Sequence, residues 1–302
     1  MELRRIFGRA FSFGILVGAV VFGAHATQWL GATKLTASSV GRGPIRVHRQ
    51  RKEGSWESTN WSGYAVTGSN GSVTDVKGSW IVPTATCSDT SIASSGGYAS
   101  FWIGIDGWSS NTVEQIGTDS DCVSSTGVGK TPTYYAWFEF YPQSGYYIGD
   151  PSRNFTGYVV QPGDVMAAEV TIAGGHNFTV TITNTSRGWT FSKTSSVKGA
   201  KQSSAEWIAE TPCCQKGSAV YPLANFGIAD YGSDRTQIAS TSFATVHGVT
   251  AAIGGFGNNV QDVTMVSEGD PGGSPVNTVM AQPSKISDSG SSFSVTWENA
   301  GP

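Results

Sequence analysis

Four short runs place acids and amides inside stretches that otherwise read as buried strands. In 98–106, side-chain alternation puts Trp102, Gly104 and Asp106 on one face and Phe101, Ile103 and Ile105 on the other. In 112–119, Val113, Gln115, Gly117 and Asp119 share a face, and in 134–141 Tyr135, Trp137, Glu139 and Tyr141 do so opposite Ala136, Phe138 and Phe140. In 203–210, Glu206 lies between Ala205 and Trp207 and shares its face with Ser204 and Ile208. A carboxyl in so apolar a strand is costly unless it is paired or protonated. Hydrolysis without a metal or a nucleophilic side chain needs a base to activate water, an acid for the leaving group and a donor for the oxyanion. These faces carry such groups. Taken singly, each has a plainer role: a strand Glu is ordinarily solvated or salt-bridged, Asp106 before Gly107 is a turn former, and rows of Trp and Tyr pack cores or bind sugars.

Other hydrolytic equipment is missing. No Gly-x-Ser-x-Gly, Asp-Thr-Gly, His-Glu-x-x-His or P-loop run occurs. Beyond residue 56 the only histidines are His176 and His247, and neither stands at metal-ligand spacing from another candidate, so no metal and no cofactor is expected.

The elements that must hold these faces are strands. Short alternating runs separated by Gly, Ser, Asn and Pro recur near 60–66, 73–82, 98–105, 112–118, 133–141, 164–172, 176–184, 189–195, 203–210, 222–228, 236–243, 262–267, 275–281 and 291–298, with no helical periodicity. So many strands predict an all-β domain of two large stacked antiparallel sheets.

Arg4, Arg5 and Arg9, the apolar stretch 11–24 and Ala24-His25-Ala26 have the layout of a signal peptide over 1–26, cleaved after Ala26, which implies a secreted protein with no membrane anchor after cleavage. Residues 27–56 carry Lys34, Arg42, Arg46, Arg49, Arg51 and Lys52 against Glu53, about +5. Residues 57–302 carry 10 basic and 20 acidic side chains, about −10. Opposite signs on adjacent segments predict a basic propeptide at 27–56 lying in cis on an acidic body at 57–302, with a linker that has no partner as the plainer reading; so acidic a body is a poor partner for nucleic acid. In an exported chain, Cys87, Cys122, Cys213 and Cys214 are disulfide candidates. Cys87 with Cys122 is the favoured pairing, because both lie in turn-rich segments flanking the same candidate strands.

The ordered runs resemble the glutamic peptidases, or eqolisins. They are Asn60-Trp61-Ser62-Gly63-Tyr64-Ala65, Phe101-Trp102-Ile103-Gly104-Ile105-Asp106-Gly107, Glu114-Gln115-Ile116-Gly117-Thr118-Asp119, Tyr135-Ala136-Trp137-Phe138-Glu139-Phe140-Tyr141-Pro142, Ser204-Ala205-Glu206-Trp207-Ile208-Ala209-Glu210 and Leu223-Ala224-Asn225-Phe226-Gly227. The resemblance covers most of 57–230. It implies a half-pipe of two seven-stranded sheets and a pepstatin-insensitive acid endopeptidase acting on polypeptides, with Glu206 and Gln115 as the catalytic pair. Trp61, Trp102, Asp106, Asp119, Glu139 and Tyr141 fall on positions that line or support the cleft. Tyr135 stands where fungal members carry an Asp. A monomer is expected.

Two other readings share the sandwich. A glycoside hydrolase or lyase would use paired carboxylates such as Glu139 and Glu206, and a carbohydrate-binding module would use the tryptophans as stacking platforms. The charge pattern adds a latch hypothesis: as pH falls through the carboxylate range near ~4, the body loses negative charge and releases the segment carrying Arg46, Arg49, Arg51 and Lys52.

Overall fold

The computed structural model describes residues 40–88, 96–123, 130–149, 156–212, 220–267 and 278–301, all within one compact unit. The expected signal peptide and the 213/214 cysteine pair lie outside the described residues.

Alternation becomes strand almost throughout. One layer runs in the order β8 (Tyr146–Ile148), β7 (Thr131–Tyr141), β6 (Val113–Val123), β5 (Ser100–Ile105), β12 (Ser204–Glu210), β3 (Trp61–Thr67), β16 (Val260–Val266), every pairing antiparallel. The second runs β11 (Trp189–Ser196), β10 (Asn177–Asn184), β9 (Val165–Ile172), β4 (Val73–Ile81). Beyond β4 it forks into β14 (Phe243–Val246) with β15 (Val249–Ala252), and into β13 (Ile228–Gly232) with β18 (Ser292–Trp297). From β18 the pairing continues to β17 (Val279–Pro283), which meets β16 and joins the layers along one side. The expected two-sheet antiparallel sandwich is what forms, with seven strands in the first layer.

The faces assigned by alternation sort as expected. Phe101, Ile103, Ile116, Phe138 and Ala205 enter the core between the layers, against Trp80, Met166, Val170 and Phe178 of the second. Full burial of each large apolar side chain stabilises by roughly 1.5–3 kcal/mol. Polar tips are tied across the layers: Trp207 Nε1 donates to the Lys77 carbonyl at 2.8 Å, Trp80 Nε1 to Thr118 Oγ1 at 2.9 Å, and the Tyr231 hydroxyl to the Ile208 carbonyl at 2.7 Å. These bonds fix the height of the first layer over the second.

Some expectations shift. The run 222–228 is extended and buried at Leu223, Ala224 and Phe226, yet it makes only isolated bridges, and the strand begins at Ile228. The run 236–243 is mostly the turn after the short helix α1 (Ser233–Thr236). Alternation misses β8 and β15, and also β1 (Val47–Lys52), whose sequence is mostly basic, and β2 (Ser55–Ser58); the last two form a hairpin that crosses the expected 56/57 boundary. β2 also pairs in parallel with β16, so the body's ladder reaches back into the basic segment. Cys87 and Cys122 are bridged, with Cα atoms 5.3 Å apart.

Candidate active site

The outer face of the first layer is organised in rows across its strands. In one row Glu206 on β12 is opposite Gly104 on β5, Gly104 is opposite Gln115 on β6, and Gln115 is opposite Glu139 on β7. Directly paired residues project to the same face, so Glu206 and Gln115 flank a glycine two strand spacings, about 10 Å, apart. Any side chain at 104 would lie between them, with its Cβ 3.0 Å from the Trp102 ring and 3.2 Å from the Gln115 Cβ. The next row holds Ile208, Trp102, Gly117 and Trp137, and the one after it Glu210, Ser100, Asp119 and Tyr135. Gly117 is required by close approach, since a Cβ there would stand 2.6 Å from that of Trp102.

These rows form a second apolar cluster, separate from the inter-layer core, of Trp61, Trp102, Val113, Tyr135, Trp137 and Ile208, with Ile45 and Tyr141 packed on it. Trp61 meets Trp102 edge-on at 5.0 Å, and Trp102 Nε1 donates to Glu210 Oε2 at 2.8 Å. Polar atoms are left open within it. Both carboxyl oxygens of Glu206, Oε1 of Gln115 and the indole N–H groups of Trp61 and Trp137 are buried without a hydrogen-bond partner among the described residues. An interior of this kind normally satisfies such groups, and this face leaves several of them open.

Burial sets the electrostatics. It holds the Glu206 carboxyl well above the ordinary carboxylate range, and the negative charge of Asp106 and Glu114 adds to it. Burial likewise pushes Glu139 up to about 8, opposed by Arg42. Glu210 is raised by burial too, against Arg42 and its bond from Trp102.

Asp106 and Asp119 have different tasks. Asp106, with φ 72, ends β5 in a left-handed turn, and its carboxylate accepts the backbone N–H groups of Lys201 at 2.7 Å, Gln202 at 2.8 Å and Ser203 at 3.0 Å. It therefore fixes the entry into β12 rather than facing a substrate. The Tyr135 hydroxyl lies 2.8 Å from Asp119 Oδ2 and 2.7 Å from Asp121 Oδ2. Burial, followed by the charge of Asp119, raises Asp121 well above its ordinary range, and one phenol bridges the two carboxyls. The residue that departs from the fungal pattern thus supports Asp119.

In the sequence Arg42 counts only as one charge in a basic segment, yet it is wholly buried in this face. Its guanidinium pairs with Asp119, donates from Nε to Ser100 Oγ at 2.8 Å, and lies 3.9 Å over the Trp137 ring. Its backbone N–H donates to Glu139 Oε2 at 3.1 Å, and its carbonyl accepts from Gln115 Nε2 at 2.6 Å. Burial alone would lower the guanidinium pKa, but the charges of Asp119, Tyr135 and Glu139 outweigh it and hold the group more firmly protonated. Its only sequence signal is an Arg between Gly41 and Gly43, where the chain can enter a narrow cleft. Arg49 and Arg51 instead reach from exposed positions to the buried carboxylate of Glu57.

The structure brings Glu206, Gln115, Trp61, Trp102, Asp119, Glu139 and Tyr141 to one face and places Asp106 at its edge, while Cys87 and Cys122 lie apart from it. Glu139 and Glu206 are three strand spacings apart, about 14 Å at the backbone, which is wide for the paired acids of a glycosidase.

Residues 59–270 match the Peptidase A4 family. The chain is 30% identical over 203 residues to Aspergillopepsin-2 of Aspergillus niger, a match covering 61% of this chain and 66%, just under two thirds, of that protein. Its fold is similar to that of scytalido-glutamic peptidase bound to a transition state analog inhibitor, with TM-score 0.57, 22% identity, and coverage of 80% of this chain and 98% of that one. It is also similar to SCP-B, an eqolisin solved with the tripeptide Ala-Ile-His, with TM-score 0.54, 21% identity and the same coverage.

Proposed function

The chain belongs to the Peptidase A4 family, the eqolisins or glutamic peptidases, and on that premise we propose that it is a secreted acid endopeptidase hydrolysing peptide bonds with Glu206 and Gln115. The observation that carries this reading is their placement on either side of Gly104, on one face, with open polar atoms on both.

In this mechanism the ionised Glu206 takes a proton from a water whose oxygen bonds to the scissile carbonyl carbon. The side-chain N–H of Gln115 holds the developing oxyanion. Glu206 then returns the proton to the departing nitrogen as the C–N bond breaks. An amide suits the second role because it offers a donor and an acceptor without titrating. Glu139 supports it by taking an N–H of Gln115 at 3.3 Å, which leaves Oε1 free to orient the water.

Residues 40–46 lie on the same face and occupy it in cis, so the precursor is a closed form. The Ile45 N–H donates to the Gly107 carbonyl at 3.1 Å, and Asn60 receives the Arg46 N–H at 2.8 Å. While the cleft is closed, burial holds the Glu206 carboxyl well above the ordinary carboxylate range, which disfavours its base form. Release of the segment readmits water and returns the carboxyl towards its ordinary range.

Digestion of a protein substrate by the acid-treated chain at pH ~3 to ~4, within the carboxylate range, tests this. Glu206→Gln should lower kcat about 10³-fold or more, and Gln115→Ala about 10²- to 10³-fold, with pepstatin without effect. Full activity in Glu206→Gln refutes the dyad, and complete inhibition by pepstatin points to an aspartic-type site.

A further inference from the structure

Arg42 shows what the cleft accepts. Its side chain enters a closed pocket whose three walls come from adjacent strands of the body: Ser100 on β5, Asp119 on β6 and Trp137 on β7. All three are wholly buried, and the Tyr135 hydroxyl donates to the Asp119 carboxylate at 2.8 Å. The pocket uses the guanidinium fully: Nε goes to Ser100, Nη2 to Asp119, Nη1 to the Val40 carbonyl at 3.2 Å, and the planar face to the indole. An ammonium has neither the fork nor the flat face to satisfy this set. The backbone of Arg42 is held as a substrate's would be, with its carbonyl on the Gln115 amide and its N–H on Glu139.

We propose that this pocket is a specificity subsite for arginine, selecting polypeptides that carry Arg at the residue whose carbonyl is presented to Gln115, and that Arg42 fills it in the precursor. The inference rests on the Glu206/Gln115 reading, because Gln115 defines which carbonyl is attacked. Asp119 is then a specificity-determining residue. An apolar side chain in the pocket leaves a buried carboxylate unpaired, which is why discrimination should be large. When such a bond is cut, water supplies a hydroxyl to the arginine carbonyl and a proton to the amine of the following residue.

The acid-treated full chain is incubated with a mixed peptide library, and the cut sites are read by mass spectrometry. Arg should dominate the carbonyl side of the cuts, with kcat/KM at least about 100-fold above a matched Leu peptide and with Lys intermediate. Asp119→Asn should bring the Arg-to-Leu ratio of kcat/KM from at least about 100 to about one. Cuts without enrichment of Arg overturn the subsite and leave the dyad standing; no hydrolysis by the folded chain overturns both. If Asp119→Asn does not fold, the pocket is read from the precursor. Arg42→Leu should then open residues 40–46 to added trypsin at Arg46 at least about 10-fold faster, with Arg42→Lys between it and the parent. Equal rates for the three chains overturn the pocket.

Discussion

Asp106 is bonded to Ser203 twice, accepting its backbone N–H at 3.0 Å and its hydroxyl at 3.1 Å, across 97 residues of chain. The turn that ends β5 thereby sets where β12 begins, two residues before Glu206. The carboxylate that its sequence neighbours mark as a turn former positions the strand that carries Glu206.

Asp106→Ala should therefore cost about 2–4 kcal/mol of stability, because it strands three buried or half-buried backbone donors. It should also lower kcat more than it raises KM. Thermal melting and steady-state kinetics check both, and Asp106→Asn should recover part of each loss. Unchanged melting in Asp106→Ala would contradict the clamp.

Gly104→Val should leave the strand paired yet place a branched side chain between Glu206 and Gln115. The expected result is a fall in kcat of about 100-fold or more, as reacting groups are displaced by an ångström or so. The Trp102 ring and Gln115 must also give way. Circular dichroism separates this from unfolding. Full activity would mean that the space over Gly104 is not where the chemistry occurs.

Stability should be highest in acid and fall as pH rises. Burial raises Glu114 to about 9 and Glu139 to about 8, above the ordinary carboxylate range reached on unfolding. A group raised in this way contributes its stability fully below the unfolded value, near ~4.3 for Glu, and loses it as pH climbs through the folded value. The melting temperature should thus decline between about pH 4.5 and pH 9. Glu114, on the core face opposite Gln115, should dominate the upper part, so Glu114→Gln should flatten that limb. A melting temperature that rises over this interval would refute the assignment.

Reduction of the Cys87–Cys122 bridge, which spans 35 residues, should destabilise the chain by about 3–4 kcal/mol. Denaturant midpoints with and without reductant measure it. Because the bridge lies apart from the row of Glu206 and Gln115, the reduced but folded chain should keep its kcat.

Alternation alone makes the faces legible, since a period of two assigns each residue to one side of a strand whatever its neighbour is. Trp102 and Ile103, and Gln115 and Ile116, separate as their positions require. The ordered motifs make the family legible, and the turn-rich flanks the disulfide partners. Pairing is not legible in this way: β1 is mostly basic yet joins a ladder, whereas the run 222–228 reads as a strand and is buried at Leu223, Ala224 and Phe226 but makes only isolated bridges.

What the sequence alone determined is local: which residues are strand, which face each one takes, and that acids and amides interrupt apolar runs. Tertiary structure decided adjacency. Pairing β12 with β5 brings Glu206 to within two strand spacings of Gln115, 91 positions earlier in the chain, and no local period encodes that neighbour. The same holds for Arg42. As one charge among several it predicted only attraction to an acidic body, whereas burial between Asp119 and Trp137 makes it an anchor, because a guanidinium out of water is held only where charge, hydrogen bonds and packing meet at one point.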